Sequence, residues 1–123
     1  MSFIDLLQRL HACTSALAEL QSSTLENSWN TCQRPDWLLW FAARLGIDNT
    51  LLSTACLAVA GTNEKALAFA SKILGNSDME SLLYNAANVG WRAAADGATG
   101  LGDIVRAHIS LETIQQLAAE VQA

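Results

Sequence analysis

Basic residues are scarce in this chain: seven Lys plus Arg stand against twelve Asp plus Glu, a net charge of -5 over 123 residues. The seven cations are dispersed from Arg9 to Arg106. Holding a phosphate backbone needs a basic patch, so direct nucleic-acid binding is not expected. Long apolar runs are also missing. Runs such as Ala55 to Ala60 fall far short of the ~20 residues that span a bilayer, and no membrane role is expected. The first residues, Met1-Ser2-Phe3-Ile4-Asp5, lack the basic start and apolar stretch of a signal peptide. The expected location is cytoplasmic.

Cysteine is sparse and unpaired in pattern. Cys13, Cys32 and Cys56 form no C-x-x-C, and only His11 and His108 stand by to complete a metal set. A zinc site is not expected, and the small apolar neighbours read as surroundings of buried thiols. Enzyme signatures are missing too: no G-x-S-x-G, no Walker loop, no H-E-x-x-H. His11 and Cys13 lie two apart, which on a helix puts them on different sides. The expectation is a protein without catalytic residues, metal or cofactor. Alternation of apolar and polar residues is absent as well, which excludes half-buried strands.

Helix punctuation, by contrast, recurs throughout. Phe3, Leu6, Leu7, Leu10, Leu17 and Leu20 fall on one stripe and predict a first amphipathic helix. Ser23-Thr24-Leu25-Glu26 reads as a capping box opening a short helix that must end near Gln33, before the single proline. Pro35 suits the first turn of the next helix, with Asp36 at its positive end and Gly46 as its stop. Further helices are expected from about Asn49 to Ala60, closed by Gly61, and from Glu64 to Leu74, with Asn63 as cap and Gly75 as stop. Ser77-Asp78-Met79-Glu80 is a second capping box, opening the longest helix, which runs through Tyr84 and Trp91 to about Asp96. Within it Ala86, Gly90, Ala94 and Gly97 recur at near-fourfold spacing. A mid-helix glycine costs about 1 kcal/mol against alanine, so Gly90 predicts a neighbouring helix passing very close. Ala98 to Gly102 reads as a hinge or frayed link, Asp103 to His108 as a short turn, and Ser110 as the cap of a final helix. The fold class is all-α: one domain over residues 1–123, a compact bundle of about seven helices with short connections.

Composition leaves one question open. The chain is 51% hydrophobic and only 15% charged, little charge for solvating a free surface. Either a partner chain, a homodimer included, covers part of it, or exposed alanines account for the excess.

The aromatic segment Trp29–Gly46 holds three of the four tryptophans. Trp37, Trp40 and Phe41 share a helical face with Arg44 nearby. Pointing outward, Trp37, Trp40 and Arg44 form a protein-binding hot spot; pointing inward, they belong to the core. Because Leu38, Leu39 and Leu45 are also apolar, the helix is hydrophobic nearly all round and reads as central. Asp36, Asp103, Arg106 and His108 are charges set in apolar stretches. Asp103 and Arg106, three apart, can pair. These four form a candidate structural polar network, with a pH-sensitive recognition site as the other reading.

Trp29-Asn30-Thr31-Cys32, Asp36-Trp37-Leu38-Leu39-Trp40 with Leu45-Gly46, and Gly102-Asp103-Ile104-Val105-Arg106-Ala107-His108-Ile109 together resemble a family of small bacterial and phage-borne immunity proteins. Pro35 and Ser110 depart from that family's pattern, and the middle helix is less alanine-dense. The resemblance implies a non-enzymatic inhibitor that neutralises a protein partner, such as a toxin, by occluding its surface. The alternatives are an anti-defence protein of phage or mobile-element origin, for example an anti-CRISPR protein blocking a defence-complex subunit, and a structural homo-oligomer.

Overall fold

The computed structural model describes residues 3–20, 22–62, 64–74, 79–95 and 100–122, the side chains of 73–74 and 79–84 excepted. The described residues form α1 (Phe3–Arg9), α2 (Thr14–Glu19), α3 (Leu25–Thr31), α4 (Pro35–Arg44), α5 (Asn49–Ala60), α6 (Glu64–Leu74), α7 (Met79–Ala95), α8 (Leu101–His108) and α9 (Leu111–Gln122). The expected all-α class is what is found. The nine helices among the described residues exceed the expected seven for two reasons.

First, the predicted opening helix is two. The His11 amide donates to the Gln8 carbonyl at 3.1 Å and the Ala12 amide to the Leu7 carbonyl at 3.0 Å, around a His11 φ of +63°. This is a Schellman ending. The same pair of bonds closes α4, from Gly46 to Ala43 and from Ile47 to Ala42, around a Gly46 φ of +86°. Glycine at the left-handed position announces the stop in the sequence; histidine there does not.

Second, the expected link over Gly100–Gly102 and the short turn after it are one two-turn helix. Leu101 and Gly102 are buried in the first turn of α8. A Cβ on Gly102 would collide with the Cys32 carbonyl oxygen, so the close approach of α8 to the end of α3 requires glycine. Asp96, Gly97, Ala98 and Thr99 lie outside the described residues, as do Asn63, Gly75 and the Ser77-Asp78 start of the second capping box.

The first capping box is displaced by one residue. The cap is Thr24, whose Oγ1 accepts from the Asn27 amide at 3.1 Å. Ser23 Oγ instead lies 2.6 Å from Ser28 Oγ. Pro35 does occupy the first turn of α4, and Ser110 Oγ does accept from the Thr113 amide at 3.2 Å. Asp48, whose carboxylate accepts from both Thr50 and Leu51 amides, caps α5.

The main core gathers Leu39, Leu52, Cys56, Val59, Val89, Val105, Ile109 and Ile114, drawn from α4, α5, α7, α8 and α9. Helices α4 and α7 make the most intimate crossing. The small residues that permit it on α7 are Ala86, Gly90 and Ala93, all buried; Ala94 is exposed. The expectation of a close neighbour at Gly90 therefore holds, and that neighbour is the start of α4.

Candidate functional site

A helix ends with unpaired carbonyls and a partial negative charge. Three arginines answer those groups on helices other than their own. Arg9 Nη1 donates to Val121 O near the end of α9 at 3.1 Å. Arg44 Nε donates to Leu10 O, after α1, at 3.1 Å. Arg106 Nη1 donates to Trp29 O at 2.8 Å and to Cys32 O at 2.7 Å, closing α3. The other two lie on aromatic rings: Arg34 Cζ sits 4.0 Å from the Trp37 centroid and Arg92 Cζ 4.0 Å from the Phe69 centroid. All five arginines are thus engaged within the chain, while eight of the nine acids whose side chains are described are exposed.

Arg106 brings together two segments that are 74 to 77 residues apart, the W-x-x-C and D-I-V-R stretches. It also pairs with Asp103 at 2.6 Å. Asp36 pairs with Arg34 at 2.8 Å, not with Asp103 or Arg106. Asp36, Arg106 and Arg34 each act electrostatically on Cys32. His108 is exposed on α8, and among the described residues no hydrogen bond or ion pair joins its side chain to the other three. The four-residue network of the sequence reading is therefore two separate pairs plus an outlying histidine.

The aromatic face of α4 looks toward the N-terminal helices. Phe41 is buried, with Trp37 and Trp40 partly so. Phe41 meets Phe3 of α1 edge-on, with ring centroids 5.9 Å apart at 84°. Arg44 is tied to Leu10 and lies 6.0 Å from the Trp40 centroid. Between this face and α1–α3 is a cavity of about 260 Å³, walled by Phe3, Leu7, Leu25, Trp29, Trp37, Trp40 and Phe41 among others. Trp29 lines it and is only 2% exposed. Among the described residues its Nε1 is buried with no hydrogen-bond partner.

The cysteines divide three ways. Cys13 is exposed, a correction to the expected burial, because it is the N-cap of α2 in the bend after α1. His11 and Cys13 both line the cavity from that bend, so the helical geometry used to separate them does not apply. Among the described residues no hydrogen bond joins the two side chains. Burial pushes the Cys32 thiol up despite nearby Arg34 and Arg106, which works against a nucleophilic role. Burial pushes Cys56 further, from 9.0 up to about 12.

Burial of Cys56 makes stability sensitive to alkaline pH. The unfolded Cys56 thiol ionises before the folded one, so its contribution to stability is whole below about pH 9 and is lost as pH rises toward 12. Cys56→Ala is expected to flatten the alkaline fall of the melting temperature between about pH 8 and 11. A slope identical to that of the wild type would contradict it.

The sequence reading passed over Trp91. It is 59% exposed on α7, the position after Gly90. Once Gly90 is known to face α4, helical phase turns residues 88, 91, 92 and 95 away from that contact. Leu57 on α5 and Leu67 on α6 are also exposed. Among the described residues no group of three or more His, Cys, Asp or Glu is placed to hold a metal, and no helix is long and apolar enough to cross a membrane. No family model, no curated protein and no solved structure matches this chain.

Proposed function

We propose that this protein is a binding inhibitor that occludes a basic protein partner. The observation carrying the reading is Trp91, a large apolar ring left 59% exposed on a long helix while Trp29, Trp37 and Trp40 pack around the cavity. Tryptophan is the residue type most enriched at interface hot spots. Two further features support it. The net charge of -5 favours encounter with a basic partner, and the short-looped helical scaffold offers a face that loses little entropy on docking. Inhibition as the outcome rests on the resemblance to immunity proteins.

The test uses the full chain as bait against extracts of its native host and of competing bacteria. Each recovered protein is then purified and its own activity measured with and without the inhibitor. The expected result is a basic partner whose activity is blocked, with Trp91→Ala weakening affinity about thirtyfold or more. A partner belonging to a nucleoprotein defence complex would assign the anti-defence role. If no partner is inhibited, and light scattering shows self-association lost in Trp91→Ala, the protein is a structural homo-oligomer and the inhibitor reading is wrong.

A further inference from the structure

The cavity between α4 and the N-terminal helices is independent of any protein partner at Trp91, and its wall limits what it can hold. Three rings of α4, Trp37, Trp40 and Phe41, share that wall with Phe3, Leu7 and Leu25. The polar side chains on it are engaged elsewhere. Ser28 Oγ lies 2.6 Å from Ser23 Oγ, the Asp36 carboxylate is held by Arg34 at 2.8 Å, and the Cys32 thiol donates to the Arg34 carbonyl at 3.8 Å. Trp29 Nε1 is buried beyond the reach of an occupant. A trapped water needs about two to four polar partners, and an apolar cavity without them stays dry and takes up benzene at about 150 Å³. By that scale about 260 Å³ holds roughly ten heavy atoms. Among the described residues no lysine or arginine lines the cavity, whereas Asp36 does, so an anion is disfavoured.

The α2 wall is weakly built. α2 is six residues long and Ala16 is its one buried residue. Ala16 and the C-cap Leu20 both line the cavity. A helix this short owes its stability to tertiary packing of its apolar side, and here that side meets the cavity. An occupant supplies the contact that α2 lacks. The two exposed residues on the wall, His11 and Cys13, lie in the bend between α1 and α2, which puts the opening beside that helix.

We propose that this cavity binds a neutral hydrocarbon or aryl molecule of up to roughly ten heavy atoms, and that its occupancy holds α2 against the body of the domain.

The test uses three benzene derivatives with equal numbers of heavy atoms, n-propylbenzene, benzamide and benzoate, on the full protein. Binding is followed by ¹H–¹⁵N NMR of the backbone amides. We expect n-propylbenzene to bind and to shift amides of α2 and α4. Benzamide should bind about tenfold more weakly or worse, because its amide loses water without gaining a partner, and benzoate more weakly again. Hydrogen exchange then reads α2 itself, at the amides of Leu17 and Leu20, which donate to the Cys13 and Ala16 carbonyls. Bound n-propylbenzene should slow their exchange about fourfold at three times its Kd, the factor for an opening that must release the ligand. Ala16→Leu, which fills the cavity from α2, is expected to abolish binding; Ala87→Leu does so from α7 if the first variant misfolds. The proposal is overturned if n-propylbenzene does not bind up to its solubility limit, or if benzamide or benzoate binds as tightly. Unchanged exchange of the α2 amides in the bound protein, or a folded cavity-filling variant that titrates like the wild type, would also overturn it.

Discussion

Gly90→Ala is expected to destabilise the domain by about 3 kcal/mol or more, although alanine is the better helix former by about 1 kcal/mol. A Cβ at Gly90 would lie 2.7 Å from the Asp36 amide nitrogen and 2.9 Å from both Asp36 Cα and Pro35 C. All three are backbone atoms at the first turn of α4, so no side-chain rotation can make room. Either α4 lifts off α7 or its N-terminus unwinds, and both open the core around Leu39 and Val89. Ala94→Gly, on the exposed side of the same helix, provides the contrast. It should cost about 1 kcal/mol from propensity alone. Urea unfolding of the two variants measures the difference. A Gly90→Ala protein as stable as the wild type would show that the α4–α7 crossing is not this tight.

Arg106→Met should be the second large loss, about 3–4 kcal/mol. The guanidinium is only 14% exposed in its side chain and satisfies two carbonyls at the end of α3, those of Trp29 and Cys32. Methionine keeps much of the stem and removes the donors, leaving part-buried acceptors beside a helix C-terminus. The ion pair with Asp103 is a small part of this. Asp103 is 75% exposed, and such pairs contribute below about 1 kcal/mol. Asp103→Asn should therefore be nearly silent in thermal unfolding while Arg106→Met is not. Equal effects would mean that the ion pair, rather than the helix cap, holds the corner.

These two residues also mark how much was legible in the sequence. Gly90 was readable as a close approach because its cost inside a helix demands a compensating contact. Its neighbour was not, because α4 lies some fifty positions away and no local rule names it. The Asp103–Arg106 pair was readable from helical spacing. The bonds from Arg106 to Trp29 and Cys32 were not, since they cross most of the chain. His108 fell beside that pair in the sequence and outside it in space, because its position on α8 points to solvent.

Errors of local structure have an equally physical source. Pro35, Gly46 and Ser110 each perform a backbone task that their residue type advertises. His11 performs the same task as Gly46 with a residue type that does not, so a helix break passed as a continuous stripe. The aromatic helix illustrates a different limit. An element apolar on nearly every side carries no phase, and its inward and outward readings are equivalent until its neighbours are placed.

The sequence by itself determined that this chain is helical, where most of its helices begin and stop, and that its few cations are dispersed along the chain. These follow from caps, periodicity and charge, which act over a few residues. Only the tertiary structure decided that Trp37, Trp40 and Phe41 wall a cavity, that Trp29 leaves a donor buried and unpaired, that arginines close the ends of other helices, and that Trp91 is the tryptophan turned outward. Each depends on which helices meet, and that is settled by packing between segments too distant in the chain for local chemistry to relate.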